Sequence, residues 1–325
     1  MSPAPARGPL RAGVVGVGYL GQHHARIYAS MPDVHLVGVA DLRAGRAEEI
    51  AGKHGCRPFA DFRAMIGQVD AVSVATPTAS HREVAAPFLQ AGVAVLIEKP
   101  MAATLPEADG LIEIAERSGA LLGVGHTERF NPAIAALRER CRNPRFIEAH
   151  RLGTFPGRSL DVDVVLDLMI HDIDLVLALT GGAPIQTLDA VGVSALTPKV
   201  DIANARLRLA GGCVANLTAS RISALKVRKV RVFTTDAYIS SDCANQSLEH
   251  FALKRRGEPG AMPEIAREAP TLKNDEPLAR ELRAFVGAVL GGAPFEVGGR
   301  EGRQALAVAL AVAERIEEGR YEVAG

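Results

Sequence analysis

A glycine-rich turn directly after a short apolar run is the feature that most constrains the fold of this chain. Residues 10–15 (Leu-Arg-Ala-Gly-Val-Val) are typical of a buried strand, and residues 22–31 have helical character. Between them stands a GxGxxG turn, which in this context is typical of a dinucleotide-binding unit. Its glycines allow a tight turn and a close approach of the backbone to a pyrophosphate at the helix N-terminus. The turn therefore predicts a dinucleotide site formed by Gly16, Gly18, Tyr19, Leu20 and Gly21.

An acidic residue follows the second apolar run and bears on the identity of the dinucleotide. Residues 35–40 are apolar in character and end at Asp41. This is about 20 residues past the glycines, where a carboxylate usually binds the adenosine ribose hydroxyls. A carboxylate there would repel the extra phosphate of NADP, so we expect NAD. Arg43 and Arg46 lie close by and would favour NADP instead, which leaves NADP open.

Strands and helices alternate through the first half of the chain. Such alternation predicts a parallel sheet with right-handed crossovers, in which ligands bind at the carboxyl ends of the strands. Thr76 and Pro77 follow one predicted strand, so we expect them to line the cofactor. His81 begins the next predicted helix and is included among the cofactor-binding candidates, although a histidine at a helix start more often has a structural role. The predicted elements are strands at 71–75, 94–97 and 121–124 and helices at 81–91 and 105–118.

The triplet Glu98-Lys99-Pro100 ends one of these strands. Its lysine follows the apolar run 94–97 directly, and an ammonium group is costly to desolvate at a strand end unless it has a partner or a function there. Proline stops the strand from continuing as a paired ladder. The alternative is an ordinary surface lysine. We expect Lys99 to lie where cofactor and substrate meet, with Glu98 beside the cofactor.

A buried helix with a polar stripe is predicted at Leu160–Leu179. Its apolar residues lie on nearly every face, yet Asp163, Asp167 and His171 recur every four residues and Asp174 continues the stripe. Asp167 would orient the His171 ring as a general base. An internal hydrogen-bond network is the alternative, preferred for Asp163 and Asp174. A metal site is disfavoured because further ligands with suitable spacing are lacking.

The chain becomes rich in predicted strands after residue 184. Short connections between them imply an antiparallel or mixed sheet. The fold class predicted is α/β, with a doubly wound parallel sheet in residues 1–126 and a large open, mainly antiparallel sheet in residues 127–325. Residues 259–277 are predicted to form loops. The predicted elements are strands at 185–194, 203–209, 213–219, 227–234, 238–242 and 248–254 and helices at 133–142, 278–290 and 303–318.

Composition excludes some partners and favours a reducing compartment. The formal net charge is zero, whereas a nucleic-acid binder would normally carry a basic excess. Four cysteines stand far apart without a CxxC motif, which favours free thiols in the cytoplasm. Residues 1–8 lack the apolar core of a signal peptide, and no apolar run is long enough to span a membrane. We therefore expect a cytoplasmic protein.

Taken together, these motifs resemble one family over almost the whole chain. The glycine-rich turn, Asp41, Thr76-Pro77 with His81, Glu98-Lys99-Pro100 and the Asp167/His171 D-x-x-x-H pattern are similar to those of the glucose–fructose oxidoreductase/inositol dehydrogenase (Gfo/Idh/MocA) family. The resemblance implies a Rossmann domain followed by an α/β domain whose open sheet forms subunit contacts in homodimers or homotetramers. It implies oxidation of a sugar or cyclitol hydroxyl with NAD or NADP. Lys99 and His171 would serve the proton chemistry, with Asp167 as partner.

Two further stretches resemble one branch of that family. Residues 125–132, and residues 155–159 leading into 167–174, are similar to those of dehydrogenases that oxidise the 3-hydroxyl of UDP-N-acetylglucosamine for the 2,3-diamino sugars of lipid A. An aminotransferase normally consumes their 3-keto product. The candidates to bind the diphosphate are Arg129, Arg158 and the neighbouring Asn131, since guanidinium geometry suits phosphate. The alternatives are a dehydrogenase of a free sugar or inositol and a non-catalytic regulator that binds a dinucleotide.

Overall fold

The computed structural model describes residues 8–155, 162–254, 264–291 and 294–319. Contacts divide the chain into two compact units. One comprises Met1–His126 and Leu278–Arg303, and the other comprises Thr127–Pro277 and Gln304–Gly325. The sequence-based division assigned everything after residue 126 to the second domain, whereas 278–303 group with the first unit. The reason is long-range pairing: Val124 donates a backbone hydrogen bond to Val297, and Arg303 pairs with Asp109.

The first unit is built on a six-stranded sheet in the order β3-β2-β1-β4-β5-β6, with every neighbouring pair parallel. The doubly wound parallel sheet predicted from the alternation is confirmed. All residues of β4 and β5 are buried, as expected where helices cover both faces of a parallel sheet. The elements are β1 (Leu10–Val15), α1 (Gly21–Ser30), β2 (Val34–Ala40), α2 (Ala44–His54), β3 (Arg57–Phe59), β4 (Ala71–Val74), α3 (His81–Gln90), β5 (Ala94–Glu98), α4 (Leu105–Ser118) and β6 (Leu122–Gly125).

The second unit carries an eight-stranded sheet in the order β14-β13-β12-β11-β7-β10-β9-β8. Its neighbours are antiparallel except for the parallel pair β7 and β10, so the predicted mainly antiparallel sheet is confirmed. The elements are α5 (Pro132–Arg140), β7 (Phe146–Leu152), a π-helical turn (Val165–Met169), α6 (Ile170–Leu179), β8 (Ile185–Val193), β9 (Ile202–Leu209), β10 (Val214–Ser220), β11 (Val227–Phe233), β12 (Ala237–Asp242), β13 (Ser247–Lys254), β14 (Glu264–Glu268), α7 (Pro277–Val289) and α8 (Gly299–Glu318).

Burial alternates along the strands of this second sheet. In β9 every second residue is buried, and the residues between are exposed. The buried face packs on apolar residues of α6, such as Ile173 and Val176, and on Val312 and Ile316 of α8. The sheet thus has one face on a core and one face open, which is typical of antiparallel sheets.

Three elements of the second unit differ from the sequence-based expectation. Strand β7 was not predicted because charged residues interrupt its apolar positions, yet it lies at the centre of the sheet. Strand β14 lies within the predicted loop 259–277. It forms a strand through its pairing with β13, which the local sequence pattern does not predict. The helix predicted at Leu160–Leu179 consists, in its described part, of the π-helical turn followed by α6. Within the described residues, no helix has the length and apolarity needed to cross a membrane.

Candidate active site

The glycine-rich turn follows β1 and is packed tightly at two of its glycines. Gly16 has φ of 83°, and a Cβ atom on it would lie 2.8 Å from the backbone of Ala75 and Thr76. A Cβ atom on Gly21 would lie 1.8 Å from the carbonyl oxygen of Gly16. These two positions therefore exclude any larger residue for reasons internal to the fold.

The middle of the turn is open. Apart from its two chain neighbours, no described residue has a heavy atom within 4 Å of where a Cβ atom on Gly18 would stand. Tyr19 is 60% exposed and Leu20 is also exposed. Helix α1 begins at Gly21, and no side chain in the described part of the chain caps its N-terminus. An open glycine backbone ahead of an uncapped helix N-terminus fits the pyrophosphate of a dinucleotide.

Asp41 closes the same turn from the end of β2. One carboxylate oxygen accepts a hydrogen bond from the backbone N–H of Val17 at 3.0 Å, and the other accepts from the N–H of Arg43 at 3.0 Å. The Arg43 guanidinium lies 3.5 Å from the carboxylate. The next side chain, Leu42, is completely exposed. Asp41 is thus held beside the glycine-rich turn, as a ribose-binding carboxylate requires.

Arg46, one of the two arginines that left NADP open, braces the turn. Its guanidinium donates to the carbonyl of Val17 at 2.8 Å, to Gln22 at 2.9 Å and to Glu49 at 2.7 Å. A guanidinium engaged by three acceptors is less available to an added phosphate. The geometry therefore favours NAD over NADP.

Thr76 and Pro77 follow the carboxyl end of β4, and His81 links this segment to the one after β5. The two ring nitrogens of His81 lie 2.9 Å from the carbonyl oxygen of Thr76 and 3.0 Å from that of Pro100. Burial lowers the pKa of His81, outweighing the carbonyl groups that would raise it. These contacts support the structural role of His81, since they fix two loops at one sheet edge.

Glu98 and Lys99 stand at the end of β5. Because β1, β4 and β5 are adjacent and parallel, Gly16, Thr76 and Lys99 lie at the same edge of the sheet. Glu98 is buried and lies 3.0 Å from Nε2 of His24. Burial would raise the pKa of Glu98, but the hydrogen bond from His24 and the charges of His24, Lys99 and His81 lower it below its usual value.

In the second unit, Asp167 lies in the π-helical turn and His171 in the first turn of α6, and both are half-buried. Asp163 accepts hydrogen bonds from the backbone N–H groups of Val165 and Leu166, both at 2.9 Å. Asp163 therefore caps the start of this helical segment.

Two buried ion pairs involve acidic residues that follow His171 closely in the sequence. Asp172 accepts two hydrogen bonds from Arg151 of β7 at 3.0 and 2.8 Å, and Asp174 accepts two from Arg129 at 2.6 and 2.8 Å. Burial raises the pKa of Asp172 even against the opposing charge of Arg151. These pairs attach α6 to β7 and to the turn Thr127–Phe130.

The three residues expected to bind a diphosphate differ in their placement. The guanidinium of Arg129 is occupied by Asp174, which is the geometry of a structural ion pair rather than of an open phosphate site. Asn131 caps α5 by accepting from the N–H of Ala133 at 3.0 Å and donates to the carbonyl of Cys243 at 2.9 Å. Neighbouring groups of the second unit thus engage polar atoms of both side chains, and their role at the diphosphate stays a prediction. Arg158 lies outside the described residues.

The sequence analysis did not identify His24 and Arg151. The structure shows that His24 contacts Glu98 and that Arg151 contacts Asp172. The contact between His24 and Glu98 spans 74 positions of the chain, and that between Arg151 and Asp172 spans 21. No local pattern signals such pairs. Among the described residues, no group of three histidines, cysteines or acidic residues is arranged to bind a metal ion.

Both halves of the chain match known protein families. Residues 10–126 match the oxidoreductase family with an NAD-binding Rossmann fold (GFO/IDH/MocA), and residues 142–240 match the GFO/IDH/MocA C-terminal domain. The chain therefore belongs to the GFO/IDH/MocA family of NAD-binding oxidoreductases, which confirms the resemblance, the fold class and the cofactor class predicted from the sequence.

Individual relatives show which dehydrogenases of this family the chain is similar to. The chain is 44% identical over 309 residues to a UDP-N-acetylglucosamine 3-dehydrogenase of Acidithiobacillus ferrooxidans, covering 95% of this chain and 97% of that protein. A solved structure of that dehydrogenase superposes with a TM-score of 0.88 at 43% identity, covering 95% of this chain and 98% of the other. The inositol 2-dehydrogenase of Rhizobium meliloti is more distant, at 27% identity over 96% of this chain and 98% of that protein.

Proposed function

We propose that the protein is an NAD-dependent dehydrogenase that oxidises the 3-hydroxyl of UDP-N-acetylglucosamine to the 3-keto sugar. The observation that carries this proposal is the 44% identity, over 95% of the chain, to a dehydrogenase named for that substrate. The inositol dehydrogenases are less similar, at 27% identity for the Rhizobium meliloti enzyme. The open backbone at Gly18 and the placement of Lys99 at the same sheet edge support the class of reaction.

The residues of the first unit provide the groups that would hold NAD. The open turn at Gly18 and the N-terminus of α1 would receive the pyrophosphate. Asp41 would bind the ribose hydroxyls, and the exposed Leu42 would offer apolar surface to the adenine. Thr76, Pro77 and Glu98 would line the remainder. Bound NAD supplies the acceptor for the hydride that leaves the sugar carbon.

We assign the proton chemistry to Lys99 and His171. His171 accepts the proton of the sugar hydroxyl, and Asp167 orients its ring. The ammonium group of Lys99 stabilises the negative charge that develops on the same oxygen, an effect that is large where water is excluded. A neutral Lys99 that acts as the base itself is the competing assignment.

Recognition of the diphosphate is assigned to Arg158. Arg129 and Asn131 have their polar groups engaged within the second unit, so we give them a positioning role. If Arg158 binds the diphosphate, the Arg158→Ala variant will bind UDP more weakly than the parent chain. Unchanged UDP affinity in that variant would remove Arg158 from the site.

The wider setting of the reaction follows from its chemistry. A 3-keto sugar is a substrate for an aminotransferase, and we propose that such an enzyme consumes the product on the way to the diamino sugars of lipid A. The four free cysteines support a cytoplasmic location. A homodimer or homotetramer is proposed from the open face of the second sheet.

Incubation with NAD and UDP-N-acetylglucosamine tests the proposal through the absorbance of the reduced nicotinamide. Because oxidation of a secondary alcohol by NAD is unfavourable, one arm includes an aminotransferase with its amino donor to remove the keto product. A panel of N-acetylglucosamine and myo-inositol separates the alternative dehydrogenases. NAD binding without reduction by any sugar, in the coupled arm as well, would indicate a non-catalytic regulator instead.

A further inference from the structure

His24 is a buried residue of helix α1. Among the described residues, its polar contact is with a residue far away in the sequence. It is 1% exposed, and its Nε2 atom lies 3.0 Å from Oε1 of Glu98 at the end of β5. Its Nδ1 atom is buried and has no hydrogen-bond partner among the residues that the structure describes. Helix α1 is the helix that starts at the glycine-rich turn, so His24 connects that turn to the Glu98-Lys99-Pro100 segment.

The carboxylate of Glu98 lies in a confined place. It is 7% exposed, and it packs against Gly125 of the neighbouring strand β6 so closely that a Cβ atom there would lie 3.1 Å from Oε1. The charged or titratable groups that act on it are His24 from α1, His81 from α3 and its own neighbour Lys99. Of these, His24 is the group that donates a hydrogen bond to it.

We propose that His24 is a positioning residue, which holds the Glu98 carboxylate in the orientation that the cofactor and Lys99 require. The inference rests on the proposed function, in which Glu98 and Lys99 face the bound dinucleotide. An ionised carboxylate only accepts hydrogen bonds, so Nε2 of His24 is the donor in this contact. His24 itself does not touch the reacting atoms.

The physical consequence of losing this donor concerns the charge of Glu98. A buried carboxylate without a hydrogen-bond donor favours its neutral form, and its pKa rises. A neutral Glu98 would no longer balance the ammonium group of Lys99. Replacement of His24 by an apolar residue should therefore make cofactor binding sensitive to mild acid, whereas a replacement that keeps an N–H donor should not.

Titration of the full-length protein with NADH, followed by nicotinamide fluorescence from mildly acidic to mildly alkaline pH, tests this inference. We expect the pH below which H24F loses NADH affinity to lie about one unit or more above that of the parent chain. H24Q, which retains an N–H group, should restore the parent profile. Y28F is the matched control, since it removes from the same helix a buried hydrogen bond that is made with Ser73 rather than with Glu98.

An unchanged pH profile in H24F would overturn the inference, as would a shift of equal size in Y28F. If H24F does not fold, E98Q tests the inference instead, because the amide at position 98 cannot titrate. E98Q should bind NADH more weakly and should lack the decline on the acid side, and a profile identical to that of the parent chain would refute the role. NADH alone is the probe, so failure of the proposed sugar oxidation would appear separately, as absence of NAD reduction by the parent chain.

Discussion

The guanidinium of Arg129 donates two hydrogen bonds to the carboxylate of Asp174, at 2.6 and 2.8 Å, and both side chains are buried. Arg129 lies in the turn before α5, and Asp174 lies in α6 three residues after His171. The pair therefore anchors the helix that carries the proposed base. A guanidinium committed in this way acts on substrate only through the helix that it holds.

We expect R129M to lower the free energy of unfolding by about 3–5 kcal/mol, because it leaves the carboxylate of Asp174 buried without its counter-charge. Urea unfolding of the two chains measures the difference. R300M is the matched control, since Arg300 forms an exposed pair with Glu116 at 2.6 Å and its loss should cost less than about 1 kcal/mol. If R129M is as stable as the parent chain but binds UDP much more weakly, Arg129 would instead be assigned to the diphosphate site.

The glycine-rich turn allows a test that separates folding from cofactor binding. G18A should fold with the thermal stability of the parent chain, because its new methyl group meets no described residue beyond its chain neighbours within 4 Å, but it should bind NADH weakly. G21A should be destabilised, because its methyl group would collide with the carbonyl oxygen of Gly16 at 1.8 Å. Thermal melts with and without NADH measure both effects.

Gly45 serves as the control for this pair. It also has open space around its Cβ position, but it lies in α2, so G45A should match the parent chain in both measurements. NADH affinity equal to that of the parent chain in G18A would contradict the proposed position of the pyrophosphate.

Removal of the proposed acid–base groups should lower turnover by more than it lowers cofactor affinity. We expect K99A and H171A each to lower kcat by about 10²–10⁴-fold, the usual contribution of a general acid or base. Reduction of NAD in the presence of UDP-N-acetylglucosamine gives kcat, and NADH titration gives the cofactor affinity. Near-parent turnover in either variant would rule out the role assigned to that residue.

Asp41 should determine the preference between the two dinucleotides. The parent chain is expected to bind NADH more tightly than NADPH, because the carboxylate repels a 2′-phosphate and Arg46 is engaged by Val17, Gln22 and Glu49. D41A should lower the ratio of NADH to NADPH affinity by roughly tenfold or more, in line with the loss of a charged hydrogen-bonding group. Tighter NADPH binding by the parent chain would contradict this assignment.

His81 should make stability depend on pH. Burial lowers its pKa in the folded chain below the unperturbed 6.5, so between these two values the unfolded chain binds more protons. Stability should therefore fall as the pH drops from 6.5 toward the lower pKa of the folded chain. Urea unfolding at a series of pH values should show a smaller decline for H81N than for the parent chain.

H35N is the control for the pH series. His35 lies on β2 with an exposed side chain, so its replacement should leave the decline of stability unchanged. An equal decline in H81N and the parent chain would assign the pH dependence to other groups.

The sequence by itself determined the parallel sheet and the edge at which Gly16, Thr76 and Lys99 lie. Alternating strands and helices admit one handedness of connection, and the carboxyl ends of parallel strands meet at one edge, so local patterns suffice to predict these positions. Gly16 and Gly21 were predicted for the same reason, since a tight turn between a strand and a helix restricts its residues locally.

Only the tertiary structure decided which polar groups are already engaged. Arg129, Asn131 and His24 have partners 45, 112 and 74 positions away, and no spacing rule relates such residues. The same holds for β7, whose charged positions conceal a central strand, and for residues 278–303, which group with the first unit. These features depend on contacts between segments that are distant in the sequence. Local sequence patterns do not predict such contacts, because the contacts form only when the chain folds.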